Sequence, residues 1–118
     1  MTDNVIKDKS FRFAVGTISI YKYLVSKNEF VLSKQLLRAG TSVGANVREA
    51  MDGQSKKDFL SKMNIALKEI KEVEYWVELL VETSYLDITE HGWYLEKCRE
   101  ICRILNAIVK STKKSLEI

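Results

Sequence analysis

Residues 55–84 read SKKDFLSKMNIALKEIKEVEYWVELLVETS, and their apolar positions decide the fold. Phe59, Met63, Ala66, Ile70, Val73, Val77 and Leu80 alternate spacings of four and three without interruption. That pattern lays one stripe along a long helix and marks a heptad seam, which needs other helices to bury it. Ser55 with Asp58 makes a capping box at the start of this helix, and Gly53 is a natural terminator for the helix before it.

Working outward, the same alternation in Phe11, Ala14, Ile18, Tyr21 and Val25, with a neighbouring stripe of Phe13, Ile20 and Leu24, predicts a first helix over residues 4–27. A second is read from Leu32, Leu36, Ala39, Val43, Val47 and Ala50, with Asn28 as its N-cap. A fourth runs over 89–114, capped by Thr89, with Leu95, Cys98, Cys102, Leu105 and Val109 inward. Short turns make neighbouring helices antiparallel, so the expected fold is all-α: a single domain over 1–118 folded as an antiparallel up-down-up-down four-helix bundle. Tyr94, Ile101, Ile104 and Ile108 on helix 4, and Leu60, Leu67, Trp76 and Val81 on helix 3, exceed the roughly three-sevenths of a helix surface that one core uses. They either widen the core stripe or form an oligomer interface.

Composition narrows the function by exclusion. There is no proline among 118 residues and only one histidine, His91. A carboxylate-bridged di-iron bundle needs a Glu-x-x-His pair on each of two helices and cannot be built from this chain. Neither a glycine-rich phosphate loop nor a nucleophile elbow occurs. Cys98 and Cys102 lie one turn apart with His91 two turns upstream, but both thiols fall on the apolar stripe and no fourth ligand completes a zinc site. No metal, cofactor or catalytic residue is therefore expected, and the chain reads as non-enzymatic. The polar start Met1–Asn4 and the short apolar runs predict a cytoplasmic protein without membrane contact.

Helix 2 breaks local rules. Gly40 and Gly44 stand inside the helical pattern, each costing about 1 kcal/mol relative to alanine, which calls for close helix packing, a kink or a groove. Arg38, Ser42, Asn46 and Glu49 form a polar stripe beside the seam, facing Glu69 and Glu72 of helix 3. These six are expected to form a buried polar network that fixes helix register. An alternative gives Glu69 and Glu72 to a divalent metal in a small nucleotide hydrolase.

The stretch from Ala39 to Ala50, AGTSVGANVREA, resembles the Ser-Ile-Pro-Ala-Asn-Ile-Ala-Glu-Gly motif of the four helix bundle protein family, also called the 23S rRNA intervening-sequence or S23 family. Ser42, Ala45, Asn46 and Glu49 match it identically, and Val43 and Val47 match in kind; Phe59–Leu80 looks like the family's third helix. Gly44 stands where many relatives have proline, and Ala50 where many have glycine. The resemblance implies a ring-like homopentamer, with some relatives encoded in rRNA insertions and a related branch serving diversity-generating retroelements through nucleic-acid and reverse-transcriptase binding. It brings no catalytic residue.

Charge supplies the last expectation. The net charge of +3 is mild, but folded onto the bundle it separates. One end gathers Arg48, Lys56, Lys57, Lys62, Lys110, Lys113 and Lys114 with Lys7, Lys9 and Arg12, in excess of Asp3, Asp8, Glu49, Asp52, Asp58 and Glu117; at the other end Glu29, Glu74, Glu78, Glu82, Asp87, Glu90 and Glu96 outnumber Lys22, Lys27 and Lys34. A ring of aligned subunits would concentrate the basic ends and attract phosphate backbones. The leading expectation is thus a homo-oligomeric binding or assembly module, with RNA as partner. A purely protein-binding scaffold is the other non-enzymatic reading.

Overall fold

In the computed structural model, residues 2–118 are described, with side chains from Val5 onward, so Asp3 of the charge argument and the polar start at Met1–Asn4 lie outside the described side chains. All regular structure among these residues is helical: α1 (Thr2–Ser26), α2 (Leu32–Met51), α3 (Lys56–Glu82) and α4 (Ile88–Ser115). α1 packs on α2 and α4, and α3 packs on α2 and α4, giving the up-down-up-down bundle, 46 × 22 × 20 Å.

Two connections differ from their sequence reading. Asn28 does not cap α2; it ends α1, in the left-handed region at φ 64, while the Glu29 N–H turns back to the Leu24 carbonyl at 2.9 Å. Asparagine tolerates that conformation better than most residues. The cap of α2 comes from the buried Glu29, whose carboxylate accepts from the Leu32 and Ser33 N–H groups at 3.1 and 2.6 Å. An anion there also suits the positive end of the helix dipole. At α4 the cap is Asp87 rather than Thr89, accepting from the Thr89 N–H at 2.7 Å. Ser55 caps α3 as its spacing predicts, accepting from the Asp58 N–H at 3.1 Å.

The seam of α1 is the largest correction. Phe11 and Ile18, expected inward, are 53% and 43% exposed, and the buried row is Ile6, Ser10, Phe13, Thr17, Ile20 and Leu24. Both rows have spacings of three and four, so periodicity does not separate them. The glycines of α2 do. A Cβ at Gly44 would stand 3.1 Å from the Ser10 carbonyl oxygen, and one at Gly40 would overlap Thr17, 2.9 Å from its Cβ. The two helices approach where Ser10 meets Gly44 and Thr17 meets Gly40, a fit that Phe11 and Ile18 are too large to make. α2 runs unbroken across both glycines, so they serve close packing rather than a kink.

That approach also accounts for the apolar surplus on the other side. Leu60, Leu67, Tyr94, Ile101 and Ile108 are buried in this bundle's own core, with Trp76, Val81 and Ile104 packed against it. They widen the core stripe, because small and polar residues on α1 and α2 leave volume for α3 and α4 to fill. Tyr94 fills much of it: fully buried, its ring stacks on Phe13 at 4.6 Å and its hydroxyl lies 2.7 Å from Thr17 Oγ1. Burial drives its phenol well above the usual tyrosine range. Cys98 is buried too, its thiol donating to the Ile70 carbonyl at 3.5 Å.

Candidate nucleic-acid interface

The antiparallel topology brings the end of α2, the start of α3 and the end of α4 together. Lys56 Nζ donates to Ser115 Oγ at 2.6 Å, tying the first turn of α3 to the last turn of α4. Arg48 lies over the Phe11 ring at 5.2 Å, which places the first half of α1 beside the same end. Lys57, Lys110, Lys113 and Lys114 are exposed there. Lys62, one turn further along α3, pairs with Glu49 at 3.3 Å. The seven basic residues singled out from the sequence therefore lie on one end of the molecule.

A cleft of about 570 Å³ opens at this end, lined by Lys56, Phe59, Ala107, Ile108, Ser111, Thr112 and Ser115. Its walls carry an ammonium group, hydroxyls and one aromatic ring. Such a lining can take a phosphate by charge and hydrogen bonding and a ring by stacking. The sequence gives little sign of this cleft, since Ser111, Thr112 and Ser115 carry no motif.

The six-residue polar network is only partly assembled. Arg38 does reach across from α2, pairing with Glu69 at 3.2 Å and with Glu72, and Trp76 Nε1 donates to Glu72 at 2.9 Å. Asn46 instead turns back along its own helix, donating from Nδ2 to the Ser42 carbonyl at 2.9 Å. Glu49 belongs to the separate pair with Lys62. The expected burial also fails: the side chains of Arg38 and Glu49 are 48% and 59% exposed. α2 buries Leu36, Ala39, Gly40, Val43, Gly44, Val47 and Ala50, and the polar stripe lies beside that face, at the margin where α2 meets α3. A half-exposed pair there is worth at most about 1 kcal/mol.

Sequence reasoning missed the polar residues that are fully buried, Ser10, Thr17 and Ser33, and the buried capping carboxylate of Glu29. The first two had a signal: Gly40 and Gly44 require partners on another helix, and Ser10 and Thr17 stand seven apart on α1. Among the described residues no cluster of His, Cys, Asp and Glu is arranged to hold a metal ion, and no helix is long and apolar enough to cross a membrane.

Residues 2–107 match the family model for the 23S rRNA-intervening sequence protein. No match is found among curated proteins. Among solved structures, a crystal structure of a protein of unknown function from the S23 ribosomal protein family of Bacteroides thetaiotaomicron is similar, with a TM-score of 0.90 and 51% sequence identity, covering 93% of this chain and 99% of that one. A family model that reaches into all four helices, together with a solved relative of this identity and coverage, leaves one conclusion: the chain belongs to the 23S rRNA-intervening sequence, or S23, protein family.

Proposed function

We propose that the protein is a non-enzymatic, homo-oligomeric assembly module whose basic end holds RNA. The segregation of charge carries this reading, because lysines from two helices and an arginine from a third meet on one end, where a cleft beside Lys56 opens between α3 and α4. A charge excess too small to retain a polyanion on one subunit becomes sufficient when several copies align it. The family's name, which refers to an intervening sequence of 23S rRNA, agrees with an RNA partner.

Self-association is supported by α1. Phe11, Val15 and Ile18 lie at spacings of four and three, each more than two-fifths exposed, which is a continuous apolar row on the outside of the bundle. A ring of five is what the family resemblance implies. The hydrolase alternative is less well supported, since Glu69 and Glu72 are already engaged by the Arg38 guanidinium and the Trp76 indole. Replacing Lys56, Lys57, Lys113 and Lys114 with glutamate tests the reading. RNA retention at low salt is expected to disappear while the oligomer persists by light scattering; equal retention by the variant and the wild type overturns it.

A further inference from the structure

A cleft of about 240 Å³ lies between α1 and α4, with Lys9 and Arg12 of the basic group on its rim. Its floor is apolar, made by Phe13, Ile101 and the bare backbone of Gly16. One wall is the indole of Trp93, 44% exposed. Gly16 is what lets the indole lie there, since a Cβ on it would stand 3.1 Å from Trp93 Cζ3. Behind the indole, Tyr94 meets it edge-on at 5.7 Å and is itself fixed by Phe13 and Thr17. Trp93 is thus a supported aromatic face turned partly to solvent.

The rim alternates charge. Arg12 pairs with Asp8 at 3.1 Å and Lys9 with Glu100 at 3.0 Å, while Lys97 stands 3.9 Å from the same Glu100. Exposed Arg103, Lys110 and Lys114, at spacings of seven and four, continue the positive charge along one face of α4. They lead toward the last turn of α4, about 30 Å from Trp93 at 1.5 Å per helical residue.

We propose that this α1–α4 cleft takes one unpaired base of a single-stranded RNA, stacked on Trp93, with the strand following the α4 cations to the basic end. A supported indole among cations is the arrangement on which single strands stack irrespective of sequence. The cleft is smaller than the roughly 300 Å³ at which drug-sized pockets begin, and so suits one planar ring system. Asp8 and Glu100 are paired with rim cations, but a carboxylate has lone pairs for more than one donor and can also accept from an exocyclic amine, which favours adenine or cytosine over uracil. This site deepens the nucleic-acid reading above and rests on it.

The test uses full-length protein carrying Trp76→Phe, so that Trp93 is the sole indole, titrated at low salt with oligoadenylate of about twelve nucleotides. A saturating quench of Trp93 fluorescence is expected. Trp93→Ala should weaken binding about tenfold or more, and Trp93→Phe should keep most of it. Oligouridylate should bind less tightly than oligoadenylate. An affinity unmoved by Trp93→Ala, or a duplex that binds as tightly as the single strand, overturns the proposal. Should charge reversal at Lys56, Lys57, Lys113 and Lys114 abolish binding that Trp93→Ala leaves intact, the base cleft falls and the basic end stands. Should the wild type bind no RNA, both fall.

Discussion

Thr17 and Gly40 show how one residue's size sets the distance between two helices. Thr17 is fully buried and fixed by Phe13 and Tyr94, so it has no room to yield to a new methyl group. Gly40→Ala should therefore destabilise by about 1–3 kcal/mol despite alanine's better helix propensity. Gly92, also inside a helix, faces nothing nearer than Ile88 at 3.8 Å, and Gly92→Ala should stabilise by about 0.5–1 kcal/mol. Urea unfolding of the two variants should move the midpoint in opposite directions.

Tyr94 and Cys98 add a pH dependence. Burial pushes the Cys98 thiol up to about 12 from its ordinary 9.0, and raises the Tyr94 phenol from 10.0 to beyond the usual range. Both groups stay protonated in the folded state at pH values where the unfolded chain releases their protons. Their contribution is whole below the unfolded values and is lost as pH climbs through the folded ones, on the order of 4 kcal/mol for the thiol alone. Unfolding midpoints measured from about pH 8 to about pH 11 should fall steadily. Cys98→Ala should start lower and fall less steeply.

The α1 seam marks where residue-level reading stops. Phe11 and Ile18 outweigh Ser10 and Thr17 in hydrophobicity, so hydropathy alone favours the wrong row. The deciding information sits on another helix, in Gly40 and Gly44, and becomes visible only when α1 and α2 are docked.

At the level of elements, the four helices were legible because each carries an uninterrupted spacing of three and four, and their ends were legible to within a few residues. Capping was less so. Ser55 has a short, local partner in Asp58, whereas Glu29 reaches forward three and four residues around a turn that Asn28 opens. α3 ends the same way as α1: Ser84 stands at φ 67, with the Tyr85 N–H returning to the Leu80 carbonyl at 2.9 Å. Serine in that conformation carries a strain of about 1 kcal/mol that glycine does not. Ser84→Gly should raise the melting temperature, and an unchanged or lower value would show that the turn does not hold serine there. The candidate site was legible in part for the same reason: charges follow from topology, but the Trp93 cleft needs α1 and α4 side by side.

For the whole molecule, the exposed row of Phe11, Val15 and Ile18 is where the proposed self-association is tested. Phe11→Glu combined with Ile18→Glu should leave the helical content unchanged and reduce the species seen by light scattering to the 13.6 kDa monomer. A wild type that already scatters as a monomer would sink the assembly. The proposed retention of RNA through the basic end predicts a steep weakening with salt as counterions compete.

The order in which the helices touch has a kinetic meaning. α1 meets α2, α2 meets α3 and α3 meets α4 across short turns, and only the α1–α4 seam joins distant parts of the chain, through pairs such as Thr17 and Tyr94. Three of the four interfaces can therefore form locally, in the microsecond-to-millisecond range of helical bundles. Without a proline, no prolyl isomerisation of tens of seconds intervenes. Under the proposed self-association, a refolding phase slower than about a second should then depend on protein concentration, and its rate would time the meeting of subunits rather than the folding of any one of them.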